Sequence, residues 1–227
     1  MDWTTFESEL SKLREKCRGE IRSLLFRGLG KLNRTRRISP DAEYDLATSL
    51  EREGSRDMAF REYYRLITNI KPVVETFTGG NWEMPDWSEA ERTFNRDGAL
   101  PTDVSRYMIY LRHHGFPSPL LDWSYSPYVA AFFAFENPDK DDVKERSIYV
   151  FREAPHQTKS YWENDAQIHV IGRAIRSHRR HFLQQSAYTI CFDPTFRFRP
   201  HEEVTEAART RTSYTGLISL RPSESRS

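Results

Sequence analysis

The stretch LRHHGFPSPLLDWSYSPYVAAFFAF (111–135) carries the strongest indications of the fold of this chain. It opens at the end of a helical pattern, and a glycine with two prolines then predicts an extended exit. LLDW indicates a strand. Ser126-Pro127 predicts a helix start, because serine accepts orphan backbone donors and proline suits the first helical position. The body of that helix, YVAAFFAF, is apolar almost all round, which predicts a central buried helix.

The residues near the start of the chain predict a helix followed by a strand. Phe6 and Leu10 recur on one helical face, so residues 1–19 are expected to form an N-terminal helix. IRSLLF (21–26) is typical of a buried strand and leads directly into Arg27. A charge at the end of a buried strand costs free energy unless it has a partner, so Arg27 is a candidate ligand-binding residue.

Further helices are expected before the opening stretch. Ser39-Pro40-Asp41 has the residues of a helix start, and that helix is expected to stop near Gly54. The following helical pattern is expected to end at Pro72, because an interior proline removes a backbone hydrogen bond.

The segment 76–101 has the least regular pattern and is expected to be an irregular insert or loop, because a Gly-Gly pair and a proline interrupt it. Asp86 and Glu89 within it have the spacing of a capping box, which predicts a short helix over 87–95.

Three more strands are predicted, at SIYVF (147–151), QIHVI (167–171) and AYTICF (187–192). Residues 201–227 are expected to form a polar tail that is too polar to pack. Helices and strands do not alternate regularly, so the fold class predicted is α+β, with mixed small sheets flanked by helices.

Composition bounds the classes of function. The 227 residues are enough for one domain with a substantial core, and the net charge is +1. This balance gives no general attraction to nucleic acid or anionic membranes, so a nucleic-acid contact requires a local basic patch. No membrane span or signal peptide is indicated, and two cysteines without metal or redox spacing fit a reducing compartment. The expected location is cytoplasmic, and no metal is expected.

Standard catalytic motifs such as the P-loop, GxGxxG, GxSxG, HExxH and CxxC are not found in the sequence. The polar residues that remain each have a structural interpretation. Arg27 can pair with a core carboxylate, and Asp122 can satisfy a buried turn. Ser126 can cap a helix, while His113 and His114 can be favoured as cations at a helix end.

Three motifs taken together resemble one family. LLFRG (24–28), HHGFPSPLLDWSYSPYVAAFFAF (113–135) and RRHFLQQSAYTICF (179–192) are similar to the FRG domain, a bacterial and archaeal family, over residues 20–200. More distantly, they resemble mono-ADP-ribosyltransferases of the arginine–serine–glutamate type. FRG resembles the aromatic-Arg-Gly that ends their first strand, and WSYSPYVAAFFAF resembles their serine-containing strand and the helix that follows it.

The second resemblance implies an ADP-ribosyltransferase-like core that binds NAD as a co-substrate. Arginine holds a pyrophosphate or ribose through a planar, bidentate fork. Serine orients the nicotinamide ribose in such enzymes. The cofactor-binding residues implied are Arg27, Gly28, Ser124, Ser126 and His114.

The third element departs from the transferase pattern. Gln184 and Gln185 stand where the glutamate is expected, and glutamine cannot carry the charge that stabilises an oxocarbenium-like centre. Asp122 is the first candidate for the missing acid, with Glu202 and Glu203 more remote. The catalytic residues implied are Gln185, Asp122 and His113.

Three hypotheses of function follow. The first is an NAD-consuming transferase that modifies an unknown macromolecular acceptor, as a toxin or in defence against phage. The second is a non-catalytic module for a nucleotide or a nucleic-acid end, with a basic pocket made of Arg27, Arg112, His113, Arg179 and Arg180. The third is a structural or regulatory domain whose polar motifs satisfy one another in the core.

Overall fold

The computed structural model describes residues 3–16, 24–29, 46–55, 57–136, 146–152, 166–172, 175, 179–204 and 215–220. The helices in these ranges are α1 (Trp3–Lys16), α2 (Ser49–Arg52), α3 (Phe60–Thr78), α4 (Trp87–Asp97), α5 (Thr102–His113), α6 (Pro127–Phe135) and α7 (Arg179–Leu183). The strands are β1 (Leu24–Leu29), β2 (Leu121–Ser124), β3 (Arg146–Arg152), β4 (Gln167–Ile171), β5 (Ser186–Phe192) and β6 (Thr215–Leu220). These elements confirm the α+β fold class.

Two compact units share the chain. Unit 1 comprises Met1–Asp45, Trp123–Lys159 and Thr205–Ser227, and unit 2 comprises Leu46–Asp122 and Ser160–Val204. Each unit therefore draws on separated stretches of sequence.

Unit 1 contains an antiparallel sheet in which β1 lies between β2 and β3. The register pairs Phe26 with Ser124 on β2, and Arg27 with Tyr149 on β3. Helices α1 and α6 contribute to the core of this unit. The core cluster consists of Phe6, Leu10, Phe26, Ala130, Ala131, Ala134, Ile148 and Val150. The predicted apolar face of the N-terminal helix is thereby confirmed.

Helix α6 is not the central buried helix that its apolar sequence predicts. Phe132 is 62% exposed, and Tyr128 and Phe135 are exposed as well. The residues that α6 buries are small, and they include Ala130 and Ala134. The prediction is wrong because the helix contacts the sheet through alanines that allow close approach, which leaves several of its larger rings on the outside.

The prediction of an unpacked tail from residue 201 is also wrong. His201 and Val204 are buried, and β6 pairs with β3 along its whole length, from Arg146↔Leu220 to Phe151↔Thr215. The tail is polar as a whole, but β6 within it is TGLISL, which contains Leu217, Ile218 and Leu220, and backbone N–H and C=O groups make its pairing. Residues 205–214 and 221–227 lie outside the described residues.

Unit 2 is built around an aromatic core. Helices α3, α4 and α5 contribute to it together with the antiparallel pair of β4 and β5, whose register runs from Gln167↔Phe192 to Ile171↔Tyr188. The largest fully buried side chains in this unit include Tyr63, Tyr107 and Tyr188. The predicted strands at 167–171 and 187–192 are confirmed.

Helix α3 does not end at Pro72, as the sequence predicts, but continues to Thr78. The proline removes one hydrogen bond, to the carbonyl of Thr68 one turn earlier. Thr68 and Pro72 are both exposed, so water can satisfy that carbonyl. The helix ends where Gly79 takes the left-handed conformation, with φ of 66°.

Two other helix predictions have different outcomes. Residues 39–45, where a helix is expected to begin, lie outside the described residues, and the described part of that segment is helical at Ser49–Arg52, with Thr48 as its N-cap. The short helix expected over 87–95 is confirmed as α4, with the Asp86 carboxylate accepting a hydrogen bond from the Glu89 backbone at 2.9 Å.

Candidate functional site

The residues of the FRG motif alternate between the two faces of β1. Phe26 belongs to the same core cluster as Ala130 of α6, and Gly28 lies against the backbone of Ala130. Successive residues of a strand point to opposite faces, so Arg27 points away from α6. The three positions of the motif therefore have separate roles.

Aromatic residues flank Arg27 on both neighbouring strands. Tyr149 is its partner on β3, and the pairing of Phe26 with Ser124 places Trp123 opposite Arg27 on β2. The Trp123 ring lies 5.8 Å from that of Phe151, between ring centroids. Arg27 is half-buried and its Nε is enclosed. A guanidinium has the planar donor geometry that suits an anion.

The same register separates two residues that the sequence resemblance brings into one site. Ser124 is directly opposite Phe26, and paired residues in a sheet share a face. Ser124 is therefore on the α6 side of the sheet, where its Oγ accepts a hydrogen bond from the Ser126 backbone at 3.0 Å. The residue of β2 that shares the face of Arg27 is Trp123, which sequence reasoning missed.

Ser126 and Gly28 have structural roles that their positions explain. Ser126 is the N-cap of α6, and its Oγ accepts from the Val129 backbone at 3.3 Å. The structural interpretation of Ser126 is thus confirmed. Gly28 leaves room for α6, since an added Cβ would overlap the Ala130 carbonyl.

In unit 2, the end of α5 carries a bidentate ion pair. The Nε of Arg112 donates to Oδ1 of Asp122 at 2.6 Å, and its Nη2 donates to Oδ2. The Arg112 side chain is 14% exposed, whereas that of Asp122 is 47% exposed. Burial alone would lower the pKa of Arg112, but hydrogen bonding and the charge of Asp122 outweigh it and raise that pKa. Asp122 is therefore a carboxylate of fixed orientation that solvent can still reach.

A second polar group in unit 2 joins two histidines through a tyrosine. Nε2 of His113 lies 2.9 Å from the hydroxyl of Tyr188, and Nδ1 of His181 lies 3.3 Å from the same oxygen. Tyr188 and His181 are buried, and His113 is half-buried. Sequence reasoning identified His113 but missed Tyr188 and His181, because residues so far apart in sequence show no common pattern.

The remaining predicted residues do not join these groups by a described contact. His114 is exposed at the C-cap of α5, with its ring 4.3 Å from that of Tyr110. Gln185 is exposed in the turn before β5, with a φ of 47°. Glu202, Glu203 and Arg179 are exposed, and Gln184 is half-buried.

One arrangement in unit 2 has the residue order of a hydrolytic triad. Oγ1 of Thr189 lies 2.9 Å from Nε2 of His201, whose Nδ1 lies 3.7 Å from the Glu51 carboxylate. Thr189 is fully buried on β5, so no substrate can reach its hydroxyl. Burial also raises the pKa of the nearby Cys191 thiol, which keeps it protonated. Both side chains therefore belong to the core.

The described residues contain neither a membrane-spanning helix nor a metal-binding cluster. None of the helices there is long and apolar enough to cross a bilayer. No three His, Cys, Asp or Glu side chains in those ranges cluster as a metal site requires.

The family model of the FRG domain matches residues 23–143, more than half of the chain. The chain belongs to the FRG domain family. The range matched includes Arg27, Gly28, His113 and Asp122, whereas α7 and β5 of this FRG domain lie beyond it. No curated protein and no solved structure matches the chain.

Proposed function

We propose that this FRG domain binds a nucleotide, NAD, at the face of the unit 1 sheet that carries Arg27, and transfers ADP-ribose from it. The observation that carries the proposal is the position of half-buried Arg27 on a central strand, with half-buried Tyr149 paired to it on the neighbouring strand. A guanidinium suits a pyrophosphate, and aromatic faces suit the stacking of a base or of nicotinamide. Both chemistries are needed to hold a nucleotide.

The transfer step requires a carboxylate near the sugar. Asp122, the first candidate from the sequence, lies two residues before Ser124 on β2, so strand alternation gives it the face opposite to that of Trp123. The proposal therefore assigns no acid to the transfer step. A transferase of this kind would act in the cytoplasm on a macromolecular acceptor, as a toxin or as a defence against phage.

Binding is tested by calorimetry with NAD, ADP-ribose and AMP at low salt. Arg27→Ala is expected to weaken NAD binding at least tenfold, and Arg27→Lys is expected to restore only part, because lysine lacks the planar fork. Arg14→Ala is the matched control, since Arg14 is an exposed arginine of the same unit and its loss changes the net charge equally. Equal NAD binding by Arg27→Ala, or none by the wild type, contradicts the proposal.

Transfer is tested separately with labelled NAD and a cell extract. Arg27→Ala is expected to abolish transfer of label, whereas the control Arg14→Ala is expected to retain it. Full transfer of label by Arg27→Ala would contradict the proposal.

The nucleic-acid module is the alternative outcome of these measurements. Its basic pocket requires Arg112, whose guanidinium is already held by Asp122, so the structure favours it less. Binding of RNA with a steep dependence on salt and no turnover of NAD would support it.

A further inference from the structure

Helix α6 presents a line of aromatic side chains on its outer face. Tyr128, Phe132 and Phe135 follow one another at i, i+4 and i+7, which places them on one side of the helix, and they are 42%, 62% and 38% exposed. The residues that α6 buries are a proline and three alanines. A helix that is apolar all round is normally covered on every side. The outer face of α6 therefore has the composition of a contact surface.

Trp3 of α1 extends this line of rings. Its ring is stacked on that of Tyr128, with centroids 5.8 Å apart, and Trp3 is 60% exposed. Phe6, which is buried, lies against both rings at centroid distances of 5.3 Å and 6.3 Å. The four exposed side chains, Trp3, Tyr128, Phe132 and Phe135, form one aromatic surface of unit 1.

The aromatic surface has the size of a functional patch. Because an aromatic side chain contributes about 150–250 Å², the exposed fractions leave roughly 400 Å² of apolar area. The largest apolar patch on a monomer is typically about 300–600 Å² and is often functional. The area is smaller than the about 800 Å² per partner of a standard interface, so the complex it forms is expected to be weak.

Carboxylates lie at both ends of the aromatic surface. The Tyr128 hydroxyl donates to Oε2 of Glu7 at 3.5 Å. Glu136, which is exposed, follows Phe135 directly as the C-cap of α6. The helix itself has no charged residue, so the negative end of its dipole adds to the charge of Glu136. Both ends therefore carry negative charge.

This charge pattern decides between the candidate occupants of the surface. Two copies of the chain related by a twofold axis meet through the same surface, so parallel and antiparallel arrangements of α6 both bring carboxylate against carboxylate. Like charges that face each other across an interface cost free energy. Anionic lipid and nucleic acid are repelled in the same way. A segment with basic residues at both ends of an apolar face is attracted.

We infer that the aromatic surface binds a basic amphipathic helix of another protein, with apolar side chains against the rings and Lys or Arg beside Glu7 and Glu136. A helix fits because the side-chain ridges of one helix pack into the grooves of another. A cation over the exposed face of Trp3 gains further attraction from the ring. Since Arg27 points away from α6, this inference does not depend on the proposed function.

The probe is a fluorescent peptide of about 14 residues, leucine and lysine in the pattern of an amphipathic helix, with a counterpart that has glutamate for each lysine. Binding to the full chain is measured by fluorescence anisotropy. The lysine peptide is expected to bind at least tenfold more tightly than the glutamate peptide. Equal binding of the two, or no binding of the lysine peptide, overturns the inference.

The rings are tested with Phe132→Ser, which is expected to weaken binding of the lysine peptide at least tenfold. Phe182→Ser is the matched control, because Phe182 is 61% exposed on α7 in unit 2, and this variant should bind like the wild type. Trp3→Ala is a second variant in case Phe132→Ser does not fold. Unchanged binding by the folded surface variants overturns the inference.

The carboxylates are tested with the double variant Glu7→Gln and Glu136→Gln, which keeps all the rings. It is expected to weaken binding at least tenfold and to reduce its dependence on salt. The control is Glu15→Gln with Glu53→Gln, which removes the same charge from exposed positions outside the surface. A double variant at Glu7 and Glu136 that binds like the wild type contradicts the role given to charge and overturns the inference.

Other occupants are measured with the same ring variant. A wild-type dimer in sedimentation velocity that Phe132→Ser dissociates would assign the surface to a second copy of the chain. Binding to vesicles of phosphatidylcholine and phosphatidylglycerol that Phe132→Ser abolishes would assign it to a membrane. Either result overturns the inference.

Discussion

Gly28 of β1 lies directly against the backbone of α6: a Cβ added to it would overlap the carbonyl oxygen of Ala130 and lie 2.9 Å from the backbone nitrogen of Ala134. Only glycine lets the helix come so near to the strand. This contact explains why α6 packs through alanines and leaves Phe132 exposed. It also gives the glycine of the FRG motif a role in the fold that is independent of any ligand.

Gly28→Ala is expected to destabilise the protein by about 3 kcal/mol, because the added methyl group meets helix backbone that cannot move aside as a side chain can. Urea unfolding measures this loss. Gly54→Ala is the comparison, since nothing lies within 4 Å of its added Cβ and only its φ of +86° is unfavourable, which predicts a cost of about 1 kcal/mol. Equal losses for the two variants would contradict the role given to Gly28.

Ser126→Ala is expected to reduce the free energy of unfolding by about 1 kcal/mol, because the Val129 N–H loses its acceptor. Ser126→Asp should retain the cap and most of the stability, since aspartate is also a strong N-cap residue. The measurement is chemical unfolding of both variants beside the wild type. If aspartate fails to restore stability, the capping role of Ser126 is wrong.

Asp122→Ala is expected to cost about 2–3 kcal/mol, because it leaves the largely buried guanidinium of Arg112 without its carboxylate. The double variant with Arg112→Met should be closer to the wild type than this single change, since no uncompensated charge remains. A double-mutant cycle of unfolding free energies gives the coupling between the two residues. The exposed pair of Arg96 and Asp97 provides the control, and loss of Asp97 should leave stability unchanged.

Stability is expected to fall in acid because of Asp193. Burial raises the pKa of this carboxyl, but hydrogen bonds from Thr195 and Arg197 outweigh burial and lower it. A pKa that is lower in the folded state stabilises the protein fully above the ordinary carboxyl pKa. The contribution is then lost as the pH falls through the folded-state value.

Unfolding free energies measured from neutral pH down to about pH 2 test the role of Asp193. Asp193→Asn is expected to remove this part of the acid sensitivity, and Thr195→Val to weaken it by taking away one donor. An acid limb that is identical in the wild type and in Asp193→Asn would assign the effect to other carboxyls.

The candidate site was only partly predictable from sequence. Arg27 and Asp122 were identified because a charge between apolar residues is conspicuous in a sequence. Trp123 and Tyr188 were missed because an aromatic residue in an apolar strand looks like any core residue. Ser124 was placed beside Arg27 by resemblance, yet strand register puts the two on opposite faces.

The sequence by itself determined the local elements of this FRG domain. The caps at Asp86 and Ser126 depend on hydrogen bonds within three residues of the chain. The apolar face of α1 and the strands at 147–151 and 187–192 are indicated by the local pattern of apolar residues. These caps and patterns lie within each segment, so the order of residues is enough to predict the element, although the partner of each strand lies elsewhere in the chain.

Only the tertiary structure decided which segments meet. Residues far apart in the chain decide three features. These are the pairing of β6 with β3, the exposure of the Phe132 ring and the contact of His113 with Tyr188. Such contacts depend on the register of strands and on the distance at which a helix can approach a sheet. In unit 1 the distance between α6 and β1 is short because residue 28 is glycine, and a Cβ at this position would overlap the carbonyl of Ala130.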